Sequence, residues 1–118
     1  MVPLTVLIVD DHADFRRAAR ALLGAEGFTV LGEAADGASA IAETARLRPD
    51  VVLLDIHLPD IDGFAVAEDL ARAPDAPMVV LVSSREPVAF GRRIAGSSAR
   101  GFIAKTELTA DALHALVG

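Results

Sequence analysis

The chain contains no cysteine. Disulfides, thiolate metal sites and cysteine nucleophiles are excluded together, and a reducing compartment is the natural setting. Tryptophan and tyrosine are absent too, and five phenylalanines are the whole aromatic complement, which leaves the core to Val, Leu, Ile and Ala. No apolar run approaches the ~20 residues of a membrane-spanning helix. Met1 to Leu7 also lacks the basic flank and long apolar stretch of a signal peptide. The expectation is a soluble, cytoplasmic domain. Positive charge is scarce as well: 11 basic residues stand against 17 acidic ones, a formal charge of −6. Such a surface repels phosphate backbones, so direct nucleic-acid binding by this segment is not expected. Lysine is the scarcest charged residue, represented by Lys105 alone. The G-x-G-x-x-G fingerprint of dinucleotide folds is missing.

What is present fits one domain. A length of 118 residues, 53% of them hydrophobic and 24% charged, can bury a single core. Five short apolar runs alternate with five segments of helical period. Strands are expected at Leu4–Val9, Phe28–Glu33, Val51–Leu54, Met78–Val82 and Gly101–Ala104. The first helix is expected over Ala13–Ala25, with Phe15, Ala19, Leu22 and Leu23 on its apolar face and Gly27 as its stop. The second starts at Asp36-Gly37, buries Ile41, Ala42 and Ala45, and ends before Pro49. The third carries Phe64, Ala67, Leu70 and Ala71 and closes at Pro74 and Pro77. A weaker helix around Pro87–Ile94 follows, and Thr109 caps a last one over Ala110–Val117. Such alternation predicts an α/β fold, a (βα)5 doubly wound parallel sheet in the order 2-1-3-4-5, flavodoxin-like in architecture. Ligands then bind beyond the carboxyl ends of the strands, at the switch point between strands one and three.

The strand ends carry the chemistry. Strand one ends in Asp10-Asp11 and strand three in Asp55, so the topology alone brings three carboxylates to one crevice. Like charges at that spacing persist when a proton or a cation offsets them, and an all-oxygen donor set suits Mg2+. Strand four ends in Ser83-Ser84 and strand five in Lys105, adding a hydroxyl and a compact ammonium. This set fits phosphoryl transfer to a carboxylate nucleophile. Any one of these residues has a plainer use, as a turn, cap or solvated flank. Four strand ends with complementary chemistry on one face are what favour a site. His12 and His57 lack the paired spacing of a zinc site and are read as loop and helix-start residues, with His57 offering its backbone carbonyl to the metal; His114 lies on the last helix, far from the rim.

Four segments, VLIVDDH at 6–12, VVLLDIHLPDIDG at 51–63, VLVSS at 80–84 and GFIAKT at 101–106, resemble the landmark segments of response-regulator receiver domains, the CheY-like superfamily. The resemblance runs from strand one to the last helix, with Asp55, Ser83 and Lys105 at the family's spacing. It implies that Asp55 is the phosphoacceptor, that Asp11, Asp55 and the His57 carbonyl bind Mg2+, and that Asp10 acts mainly through metal-bound water. It further implies that Lys105 holds a phosphoryl oxygen, and that Ser83 and Phe102 are the switch pair where many relatives have Thr and Tyr. The implied partners are a sensor histidine kinase, the effector domain of the same regulator and, on phosphorylation, a second copy. The implied chemistry is self-phosphotransfer and autodephosphorylation, not enzymatic turnover. GFIAKTELTADAL is similar to the NarL/LuxR type, whose output is DNA-binding, and the short last helix suggests a receiver, residues 1–118, cut from a longer regulator.

Three rivals have weaker support. A haloacid-dehalogenase-type phosphohydrolase would need its nucleophile after the first strand and an acid where His57 stands. A flavodoxin-like cofactor binder would need phosphate donors where Asp10 to Asp14 is acidic. A receiver-like interaction module that works without phosphorylation remains the alternative.

Overall fold

The computed structural model describes residues 2–118; Met1, included above in the N-terminal stretch, lies outside the described residues. Five parallel strands form one sheet: β1 (Thr5–Val9), β2 (Thr29–Ala34), β3 (Val51–Asp55), β4 (Met78–Ser83) and β5 (Gly101–Ala104), in the order β2-β1-β3-β4-β5. The expected order is the observed one. Strands β1, β3 and β4 are central, and their uninterrupted apolar runs are buried on both faces. The register of β2 on β1 shifts between Val6 and Leu7, so that Gly32 takes up the pairing with Leu7.

Four α-helices cover the sheet among the described residues: α1 (Ala13–Ala25), α2 (Gly37–Leu47), α3 (Gly63–Ala71) and α4 (Ala110–Val117). Helices α2 and α3 close one apolar layer around Leu7, Val52, Leu54, Val66 and Leu81. Helices α1 and α4 close the other around Ile8, Leu23, Leu53, Val80 and Leu113. Local signals set the helix ends. The α1 segment is followed by Gly27 at φ +97, a conformation that costs glycine little. Asp36 accepts the Ser39 N–H at 2.8 Å, and Thr109 accepts the Ala112 N–H at 3.0 Å, both acting as N-caps.

Three expectations need correction. Between β4 and β5 there is no α-helix over Pro87–Ile94: Pro87–Phe90 forms one 3-10 turn, and turns and bends lead on to β5. Gly91 sits at φ +57, and Gly96, Ser97 and Ser98 follow, each a poor helix residue. Helix α2 buries Ala40 and Thr44, whereas Ala42 and Ala45 are exposed. Thr44 satisfies its hydroxyl on the Ala40 carbonyl at 2.7 Å, which is what permits burial. Helix α3 buries Val66 in place of Ala71.

Candidate functional site

The apolar runs give way to polar side chains where the strands end, and those of Asp10, Asp55 and Ser83 stay buried. Asp10 directly follows β1, with its N–H on the Ala34 carbonyl at 3.0 Å and its side chain fully buried. Asp55 is the last residue of β3 and is 2% exposed; the following N–H, of Ile56, donates to the Val82 carbonyl at 3.0 Å. Ser83 ends β4, one residue past the Val82 that pairs with Asp55. Lys105 follows β5. Asp11 faces solvent.

Lys105 organises the carboxylates. Its Nζ lies 2.6 Å from Asp10 Oδ2 and 3.4 Å from Asp55 Oδ2, and 4.7 Å above the Phe15 ring. Two buried carboxylates thus share one ammonium, with Asp11 in the same cluster, so negative charge remains in excess. Burial pushes the Asp55 carboxyl above its ordinary value. The His57 N–H, 3.1 Å from Asp55 Oδ1, pulls it back, the Asp10 charge raises it further and Lys105 lowers it. Asp10 Oδ1 accepts the His12 N–H at 2.8 Å. Asp10 Oδ2 is buried with no hydrogen-bond donor aligned on it, although Lys105 Nζ is close enough to form an ion pair. Lys105 meets the charge of that oxygen, but one ammonium does not offset the clustered carboxylates of Asp10, Asp11 and Asp55, and the excess suits a further cation. One ligand atom from each of Asp10, Asp11, His12 and Asp55 lies within 4.8 Å of the others. The residues present therefore fit a divalent ion, and the oxygen donors fit Mg2+.

A match to the response regulator receiver domain profile spans residues 6–117. The chain belongs to the response-regulator receiver family. Among solved structures, the signal receiver domain of NarL from Mycobacterium tuberculosis is similar with a TM-score of 0.87 and 31% identity, covering 100% of this chain and 99% of that one. EvgA, a DNA-binding transcriptional activator of Escherichia coli, is 31% identical over 104 residues, 88% of this chain and 51% of its own length. BvgA of Bordetella pertussis is 36% identical over 110 residues, 93% of this chain and 53% of its own length. The receiver spans about half the length of these curated relatives. Receiver domains are phosphoacceptor signalling domains that bind Mg2+ at an acidic pocket.

The structure brings Asp10, Asp11, Asp55 and Lys105 together at the receiver's rim, with Ser83 beside Asp55 in the sheet and the His57 backbone one residue beyond Ile56. Ser83 is fully buried, and its Oγ accepts the Arg85 N–H at 3.1 Å. Phe102 stands apart, half-buried within β5, its ring 5.9 Å from that of Phe90. Phe90 in turn lies 5.7 Å from the His57 ring and 6.0 Å from Phe64. An aromatic series thus runs from the loop after Asp55 to β5. His114 is remote, as expected, stacked on Phe28 at 4.3 Å.

Several supporting residues escaped the sequence reading. Arg16 donates to the Asp10 carbonyl at 2.6 Å and to Glu33 at 3.0 Å, tying the end of β1 to β2. Asp60 reaches back from the loop after β3 to accept the N–H groups of Gly37 at 2.7 Å and Ala38 at 3.0 Å. These hydrogen bonds hold its carboxyl below the usual range. Gly63, the first residue of α3, packs against the backbone of Asp55 and Ile56. The Asp62-Gly63 pair before an apolar helix was the only local signal for that approach. His12 is the N-cap residue of α1, as its reading as a helix-start residue implies, but its ring also reaches the carboxylates.

Proposed function

We propose that this receiver is a phosphorylation-dependent switch that accepts a phosphoryl group on Asp55 from a phosphohistidine of a sensor kinase. The observation that carries the reading is the buried Asp55 carboxylate at the end of β3, with the Lys105 ammonium 3.4 Å away and the Asp10 carboxylate on that same ammonium. A carboxylate oxygen of Asp55 attacks phosphorus, an O–P bond forms, the P–N bond of the donor breaks and the electron pair leaves with the imidazole. Lys105 offsets charge on the phosphoryl oxygens, and the His57 N–H holds Asp55 Oδ1 in place during attack. Bound Mg2+, held by Asp11, Asp55 and the His57 carbonyl with Asp10 acting mainly through metal-bound water, would neutralise the excess carboxylate charge and orient the phosphoryl group. Asp10 keeps Lys105 on station.

The switch follows from what the new dianion attracts. Ser83 Oγ is already an acceptor for Arg85 N–H, which leaves its hydroxyl hydrogen to donate to a phosphoryl oxygen. Movement of Ser83 and of the loop behind it changes the seat of Phe90 and hence of Phe102. The surface of β5, the turn region before it and α4 is the readout, for a second copy or an effector domain of the same regulator. Similarity to EvgA favours a transcriptional output through a DNA-binding domain outside residues 1–118, in the cytoplasm. No helix among the described residues is long and apolar enough to cross a membrane.

Intact mass after incubation with acetyl phosphate and Mg2+ tests the reading. One added phosphoryl group is expected in wild type, and none in Asp55→Asn or with EDTA. A folded, Mg2+-binding wild type that stays unmodified would replace this reading with the phosphorylation-independent interaction module.

A further inference from the structure

The His12 ring has no part in the transfer just described, yet it stands inside the acidic cluster. Its Nδ1 lies 2.9 Å from Asp10 Oδ1 and 3.1 Å from Asp11 Oδ1. The contact to Asp10 Oδ1 is at hydrogen-bond distance, beside the His12 backbone N–H on the same oxygen, but one ring N–H cannot point well at both Asp10 and Asp11. Nor does burial drive the ring there, because the side chain is 67% exposed. The separations do fit one coordination sphere. Ligands about 2.1 Å from an octahedral ion stand about 3.0 Å apart along an edge and about 4.2 Å apart across it. Asp10 Oδ2 is taken up by Lys105 Nζ at 2.6 Å, so Oδ1 is the Asp10 oxygen that faces His12 and the cluster.

We propose that His12 is a metal ligand, its imidazole nitrogen joining the carboxylates of Asp11 and Asp55, with Asp10 beside them, around one divalent ion. The inference rests on the cation site proposed above and adds a nitrogen donor to it. Mg2+ is hard and keeps its waters, so it gains little from imidazole; Co2+, Ni2+ and Zn2+ gain much more. The site therefore holds such ions more tightly than an all-oxygen receiver site would, in competition with Mg2+. In the tautomer with hydrogen on Nε2, Nδ1 offers its lone pair to the ion while the exposed Nε2–H faces water.

Co2+ is the probe. Calorimetric titration of wild type, His12→Ala and His57→Ala with Co2+ and with Mg2+ separates the two ions. His12→Ala is expected to weaken Co2+ binding about tenfold or more and Mg2+ binding by less than about twofold. Proton spectra of the Co2+-loaded wild type should show a hyperfine-shifted, solvent-exchangeable imidazole N–H resonance. His57→Ala should keep it and His12→Ala should lose it. Equal Co2+ affinity in wild type and His12→Ala, with no such resonance in wild type, overturns the proposal. If neither ion binds wild type, the cation reading of the carboxylates falls and takes His12 with it. If Co2+ binds through His12 but acetyl phosphate leaves Asp55 unlabelled, the phosphoacceptor reading fails while the His12 ligand stands.

Discussion

Gly63 offers a test of how closely α3 is seated on the acceptor strand. A Cβ built there would lie 2.6 Å from Ile56 Cα and 3.0 Å from Ile56 O, and closer still to the carbonyl oxygen of Asp55. All three are backbone atoms, which cannot swing aside as a side chain would. The Gly63 N–H also donates to the Ile56 carbonyl at 2.8 Å, so the helix cannot back away without lengthening that bond. Overpacking of this kind costs about 1–3 kcal/mol, and backbone obstruction places Gly63→Ala in the upper half of that range. Alanine returns at most ~1 kcal/mol of helix propensity, and less at a first helical position. The net expectation is a loss of about 2 kcal/mol, or a fall in Tm of roughly 8 °C for a domain of this size. Gly24 is the internal control: it is exposed within α1, and its Cβ would meet nothing within 4 Å. Gly24→Ala should gain about 0.5–1 kcal/mol. With no tryptophan or tyrosine to report fluorescence, urea unfolding is followed by far-ultraviolet circular dichroism. A displaced Asp55–Ile56 backbone should also slow acetyl phosphate labelling, by up to about a hundredfold. Shifts of the same sign and size in the two variants would refute the steric argument, since propensity alone would then account for both.

Asp55→Asn should stabilise the metal-free domain at neutral pH. The folded carboxyl titrates above its ordinary value, so stability falls as pH rises from about 3.9 through the raised folded value, and Asn escapes that loss. The gain over wild type, read by urea titration in EDTA, should vanish in acid below the ordinary carboxylate range and shrink when Mg2+ is added. Asp60 works in the opposite sense: its depressed carboxyl supports α2 above its unfolded value and loses that support as pH falls through the folded one. Asp60→Ala should speed amide exchange at Gly37 and Ala38 in neutral solution, and an unchanged exchange rate would count against the link. Thr109→Ala removes the cap of α4 and should cost about 1 kcal/mol in the same urea assay.

The rim was legible because each central strand is apolar until it stops. Val6 to Val9 gives way to Asp10, Val51 to Leu54 to Asp55, and Val79 to Val82 to Ser83, so the change from apolar to polar marks the strand end and the site together. The helix faces were less legible where alanine carried the pattern. Ala42, Ala45 and Ala71 are exposed while Ala40 and Ala67 are buried, because a methyl group gains too little from burial to fix a helix's rotation. Thr44 is buried although its residue type points to a surface position, because its hydroxyl bonds within its own helix. The missing helix after β4 had its signals in Gly91, Gly96, Ser97 and Ser98, but Val88, Phe90 and Ile94 imitated a helical period.

What the sequence concealed has a common physical origin. Arg16 acts on the Asp10 carbonyl, Asp60 on the N–H groups of Gly37 and Ala38, and Gly63 through the space above Asp55 and Ile56. In each case one partner is main chain, which every residue carries, so no residue type at the far end announces the contact. The rim itself is made of side chains whose chemistry names them. Its geometry is fixed by contacts to backbone that become visible only when the strands are placed side by side. Arg16 shows the consequence: it joins the Asp10 carbonyl at the end of β1 to Glu33 of β2, and so holds the Asp10 backbone in place while Lys105 pairs with the Asp10 carboxylate. An acceptor site read only as Asp10, Asp11, Asp55, Ser83 and Lys105 would contain the reacting groups but not the contacts that keep two like charges within reach of one ammonium.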